Sequence, residues 1–107
     1  MNLFNTILSY NSEKINSIQE KCDTQLSKHN CKEEIINYLL ASRTHARQQK
    51  KELSNSGILN ISNVFEKINK ENDIIVNELN VLLNNPNFCE NIKHSILFNL
   101  INKPPQL

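Results

Sequence analysis

One glycine in 107 residues leaves little material for tight turns. Strand-rich domains need turn residues every ~8–12 positions, so the chain is expected to be helical. Prolines are as scarce: there are three, and two of them adjoin at 104 and 105. Neither sign of charge dominates. Twelve basic side chains face 11 acidic ones, for a net charge of +1, and a globally basic nucleic-acid binder is therefore not indicated. No apolar run approaches the ~18 residues of a membrane-spanning helix, and no membrane contact is expected. The stretch MNLFNTILSYNSEK lacks the basic start and unbroken apolar core of a signal peptide. Cysteine is limited to Cys22, Cys31 and Cys89, an odd number with no CxxC spacing. A disulfide framework is not expected, the three thiols are expected reduced, and the cytoplasm follows as the location. No P-loop, GxGxxG, HExxH, paired-carboxylate motif or nucleophile elbow occurs. The chain is expected to be no enzyme, with no cofactor and no metal.

What remains is rich in asparagine, with 19 residues, and in isoleucine and lysine. These residues share AT-rich codons, so part of the composition reflects the gene. Apolar residues recur at alternating spacings of three and four, the mark of a helix face. A first helix, from about Asn2 to Ser27, carries Met1, Phe4, Leu8, Asn11, Ile15, Ile18, Cys22 and Gln25 on one seam. Asn30 and Glu33 have the spacing of a capping box, opening a second helix to about Asn55. Its core stripe is read as Ile35, Leu39, Ser42, Ala46 and Leu53, flanked by Ile36 and Leu40. Gly57 fits the left-handed position past a helix end, with Ile58 as its hydrophobic contact. A third helix, from Asn60 or Ser62 to Asn84, has the seam Ile61, Phe65, Ile68, Asn72, Ile75, Leu79 and Leu82. Asn85-Pro86 stops it. Asn87 and Glu90 repeat the capping-box spacing before a fourth helix, about 88–102, with Phe88, Ile92, Ile96 and Leu100 on one face. Leu97, Phe98 and Ile101 widen that face, so this helix is expected to be the most buried.

Connections of a few residues place successive helices antiparallel. The expected fold is all-α: one domain over residues 1–107, an antiparallel four-helix bundle of three long helices and a shorter apolar fourth, with 103–107 loose. Seams this long can close on themselves or on a partner chain, leaving homo- or hetero-oligomers open. Asn11 and Asn72 interrupt two seams. They are either register-setting buried amides or simple tolerance in an asparagine-rich chain.

The stretch SRTHARQQKK concentrates the candidate binding residues. Both arginines of the chain, Arg43 and Arg47, lie there with His45, Lys50 and Lys51. Arg43, Arg47 and Lys50 follow i, i+4, i+7 and form one stripe in line with Ile36 and Leu40. Arginine offers a rigid two-pronged fork for carboxylate or phosphate that lysine lacks. The bland alternative is a solvated basic half-helix that complements the helix dipole. No aromatic residue is interleaved to stack bases, which weakens nucleic acid as the partner. His45 is expected on a different, outward face with Tyr38, Ala41 and Glu52. Cys22, His29 and Cys31 lie close in sequence but lack zinc-site spacing. Cys22 reads as a small buried hydrophobe and His94 as a surface histidine without an acidic partner.

A histidine midway along a helix of a small bundle resembles the histidine phosphotransfer domains in size and class. Their Leu-Lys-Gly-like signature is absent, because Ala46, Arg47, Gln48 and Gln49 follow His45. The size and plainness also resemble small toxin-immunity proteins, by composition alone. The expected function is non-enzymatic protein binding by an inhibitor, immunity-type or adaptor bundle. Its partner would meet either the Arg43/Arg47/Lys50 face or the acidic residues Glu33 and Glu34 together with Glu66, Glu71, Asp73 and Glu78. A nucleic-acid module using the same basic face and a phosphocarrier through His45 are the alternatives.

Overall fold

The computed structural model describes the backbone of residues 3–26 and 28–102 and the side chains of 13–14, 16–25 and 28–102. The fold is an all-α helical bundle. Helix α1 spans Leu3–Leu26, α2 Lys32–Asn55, α3 Ile61–Leu83, α4 Phe88–Ile92 and α5 Ile96–Ile101, with a 3-10 turn at Ile58–Asn60 between α2 and α3. No strand occurs among the described residues. A helix of 24 residues is about 36 Å long, so α1, α2 and α3 set the long dimension of a body measuring 46 × 32 × 19 Å.

Aliphatic periodicity places α1 and α3 as expected. On α1, Ile18, Cys22 and Gln25 are buried. The earlier seam positions, Asn11 and Ile15 among them, fall outside the described side chains. On α3, Ile68, Asn72, Ile75, Leu79 and Leu82 are buried, with Ile61 and Phe65 partly covered. The main core joins Ile18 and Cys22 of α1 and Ile75, Leu79 and Leu82 of α3 to Ile35 and Tyr38 of α2, Phe88 and Ile92 of α4 and Leu97 of α5. Tyr38 is fully buried, its ring edge-on to Phe98 at 6.2 Å between centroids. A smaller cluster of Leu53 and Ile68, covered by Ile61, Val64 and Phe65, closes the α2–α3 end.

The fourth segment differs from expectation. It is two short helices rather than one, parted at Lys93-His94-Ser95, where Ser95 is extended at φ −64° and ψ 152°. The cause lies on α3. Both carboxylate oxygens of Glu78 accept the backbone N–H of Ile96, at 3.0 and 3.1 Å. This gives α5 its own start, with a negative charge at the positive end of the helix. The centre of the bundle is α2, which packs against α1, α3, α4 and α5. The fourth segment contributes the fully buried Phe88, Ile92 and Leu97.

Two cap expectations also change. The residue capping α2 is Cys31, with no side-chain cap bond, and its carbonyl accepts the Ile35 N–H at 3.1 Å. Asn87 caps α4 but likewise makes no side-chain cap bond. Gly57 has positive φ, 73°, as the turn requires, but Ile58 makes no capping contact and is 90% exposed.

The cysteine expectation is overturned. Cys31 and Cys89 form a disulfide, with Cα atoms 5.7 Å apart. It fastens the start of α2 to the start of α4. The odd cysteine is Cys22, free and fully buried. The bond spans a sequence separation of 58 residues; in the chain-entropy picture closing such a loop stabilises the fold by about 4 kcal/mol. Cys31→Ser with Cys89→Ser, or the parent protein in reductant, is expected to lose roughly 2–4 kcal/mol in urea unfolding. Identical midpoints with and without reductant would show that this bond does not stabilise the fold.

Candidate functional site

Helix α2 presents two chemically different faces, and SRTHARQQKK is divided between them. Arg43, Arg47, Lys50 and Lys51 are exposed. They continue the line of Ile36 and Leu40, which are 40% and 52% exposed. The expectation that Ile36 and Leu40 flank the core is therefore corrected: both stand on the outer face. None of the four cations makes an ion pair with a described residue. Several lysines elsewhere are engaged, Lys67 with Glu52 at 2.7 Å, Lys70 with Glu66 at 3.4 Å and Lys14 with Asp73 at 3.6 Å, whereas Lys28 and Lys32 also make no ion pair with a described residue.

His45 is not on the outer face. It is 5% exposed, on the buried stripe Ile35, Tyr38, Ser42, His45, Gln49 and Leu53. The expected core stripe through Leu39 and Ala46 is thus rotated by about one residue. Most buried polar groups in folded proteins have partners, and for His45 and Gln49 α3 supplies them. Gln49 Nε2 donates to Asn72 Oδ1 at 3.0 Å, and His45 Nε2 lies 3.8 Å from Glu71 Oε1. A cavity of about 20 Å³ lies among Lys14, Ser42, His45, Gln49 and Asn72, large enough for one water molecule. Outside it, an open cleft of about 470 Å³ runs over Gln48, Glu52, Lys67 and Glu71. Asn72 is buried and accepts from Gln49, whereas the expected pairing of Asn72 with Asn11 lies outside the described side chains.

The His45 imidazole holds the Glu71 carboxyl below the ordinary carboxylate range, against its partial burial, with Gln49 and Lys67 assisting. This set, His45, Gln49, Glu71 and Asn72, was missed as a group because hydropathy does not register polar residues on a core face. The spacing 38, 42, 45, 49 was nevertheless as regular as any aliphatic seam.

The acidic residues do not form one open surface. Glu33 is exposed and Glu34 half-buried at the start of α2. Glu66 and Asp73 are paired to lysines, Glu71 faces His45, and Glu78 points inward to the Ile96 N–H. Among the described residues no three His, Cys, Asp or Glu side chains converge as a metal site. Cys22 lies in the core, where burial first and Asp23 second push its thiol up to about 12, so it is unreactive as a nucleophile. His29 packs on Phe88 at 5.0 Å between rings. His94 is exposed as expected, but it has an acidic neighbour one turn back, Glu90 at 3.6 Å.

Two outcomes test the polar cluster. The ionised Glu71 stabilises the fold above the carboxylate range, and that contribution is lost as pH falls through its lowered pKa. Glu71→Gln is expected to flatten the fall in stability between neutral and acidic pH, measured by urea midpoints; an unchanged acid slope refutes the coupling. Asn72→Ala removes the buried amide oxygen that accepts from Gln49 Nε2 and is expected to cost about 1–3 kcal/mol. The double variant with Gln49→Leu is expected to cost less than the sum of the single changes.

No helix among the described residues is long and apolar enough to cross a membrane. No family model, curated protein or solved structure matches the chain.

Proposed function

We propose that the chain is a non-enzymatic protein-binding protein, an inhibitor, immunity-type or adaptor bundle, whose contact face is the outer stripe of α2. One observation carries this: Ile36, Leu40, Arg43, Arg47 and Lys50 are all exposed on one face, and the three cations have no ion pair within the described molecule. A stripe that is apolar at one end and cationic at the other fits a partner with an acidic rim beside an apolar patch. Arginine with a free fork is among the residue types that concentrate binding energy. The buried stripe on the opposite side holds the helix in this rotation.

The same cations support nucleic-acid binding as a second reading. Among the described residues it has no stacking platform in its favour, since Tyr38 and Phe88 are fully buried and Phe65 and Phe98 are partly buried. Phosphate contacts also give a steep, linear loss of affinity on a log–log salt plot. A phosphocarrier role for His45 is disfavoured by its 5% exposure and the carboxylate beside it. The cytoplasmic location belongs to this proposal as well. The Cys31–Cys89 bond counts against that location, since persistent disulfides are rare in a reducing compartment.

Arg43→Ala with Arg47→Ala is expected to leave the melting temperature nearly unchanged, since exposed substitutions usually fall within about ±0.5 kcal/mol. Affinity for the partner, recovered by pull-down and identified by mass spectrometry, is expected to fall by about 2 kcal/mol or more. Replacement of both by lysine restores only part of it. Collapse of stability with intact intrinsic affinity would make the arginines structural.

A further inference from the structure

The α2–α3 connection is the least conventional surface of the molecule. Ile58 is 90% and Leu59 96% exposed. The two follow Gly57, whose φ of 73° turns the chain outward into open space, with nothing within 4 Å of where a Cβ would stand. The small core beneath the turn does not need them, because Ile61, Val64 and Phe65 already cover Leu53 and Ile68. From Leu53 through Phe65 the sequence contains no charged residue and no histidine. The tip is thus two large aliphatic side chains on a collar of serine and asparagine.

A second, independent observation concerns charge. Residues 43–71 hold six lysines and arginines against three acids, a charge of +3 in a chain whose total is +1. The rest of the chain is therefore net acidic. The acids at this end are all occupied: Glu52 by Lys67, Glu66 by Lys70 and Glu71 by His45. Lys50 and Lys51 stay exposed, without an ion pair to a described residue, one to two helical turns behind the tip. Apolar side chains therefore lead, and free cations follow at about the depth of a headgroup layer.

We propose that this end of the molecule contacts an anionic lipid surface, with Ile58 and Leu59 entering the headgroup–acyl boundary and Lys50 and Lys51 meeting the headgroups. Weak apolar insertion and weak electrostatic attraction are each insufficient alone and bind in combination. A bilayer accepts a protruding pair without a complementary pocket. A protein partner needs continuous surface of standard size, and two protruding aliphatic side chains on a collar of serine and asparagine fall well short of it. The expectation of no membrane contact rested on the lack of a spanning segment, and contact at a surface requires none. This inference shares Lys50 with the proposed protein face but rests on Ile58 and Leu59, which that face does not include, and goes beyond it.

The test is co-sedimentation of the full chain with vesicles of phosphatidylcholine and phosphatidylserine, mixed at about three to one, beside vesicles of phosphatidylcholine alone. The protein is expected to pellet with the mixed vesicles at low salt and to be released as salt rises. Ile58→Ser with Leu59→Ser is expected to reduce binding about tenfold or more. Both positions are more than nine-tenths exposed, so the melting temperature should hold. Lys50→Glu with Lys51→Glu is expected to abolish the preference for mixed vesicles. Absence of pelleting, equal pelleting on both vesicle types, or binding that survives the Ile58/Leu59 change overturns the proposal. A tip variant that loses affinity for a purified protein partner, with no vesicle binding by the parent, overturns it in favour of a protein pocket. None of these outcomes bears on the Arg43/Arg47 reading, which is tested by partner affinity.

Discussion

The rotation of α2 about its own axis is the constraint on which the rest of the molecule depends. That rotation is fixed by polar contacts as much as by apolar ones. At its N-terminal half Ile35 and Tyr38 turn into the core, as aliphatic and aromatic residues do. In the C-terminal half the buried stripe becomes His45 and Gln49, and the inward direction is retained because α3 offers Asn72 and Glu71. Turning α2 by one residue would leave these groups unpaired at a cost of several kcal/mol. Ile36, Leu40, Arg43 and Arg47 are on the outside for the same reason. The outer face is therefore a consequence of the inner one.

The sequence was legible wherever aliphatic side chains carried the pattern. The seams of α1 and α3 could be read because Ile18 and Cys22, or Ile68, Ile75, Leu79 and Leu82, repeat at helical spacing and are the residues found buried. Asn85-Pro86 ended α3 for a local steric reason, and the helix stops at Leu83. The reading failed where the decisive partner was distant in the chain. His45 looked exposed because hydropathy ranks it with the surface, and its neighbour Glu71 lies on another helix. The break between α4 and α5 depends on Glu78, 18 residues before Ile96. Cys31 and Cys89 looked unpaired because cysteine counting has no access to which helix ends meet.

For the candidate site the same division holds. The four outer cations were found from composition and i, i+4 spacing alone, since a surface stripe on a regular helix is a local property. The buried cluster of Gln49, Asn72, Glu71 and His45 is a property of two helices together. Asn72 was noticed as an interruption in a seam, but its mate was not legible. The polarity of charge along the molecule was also visible in the sequence. It became informative only with Ile58 and Leu59 found outside the core.

Cys22 has a consequence of a different kind. With Cys31 bonded to Cys89, it is the one thiol in the chain, and it is completely enclosed with its ionisation suppressed. A soluble alkylating reagent can reach it only when α1 leaves α2 and α3, the two elements it packs against. The folded molecule thus carries its own clock for opening: the labelling rate at this sulfur reports how often the bundle comes apart at α1. The exposed tip and the basic stripe can be altered at will without disturbing that record.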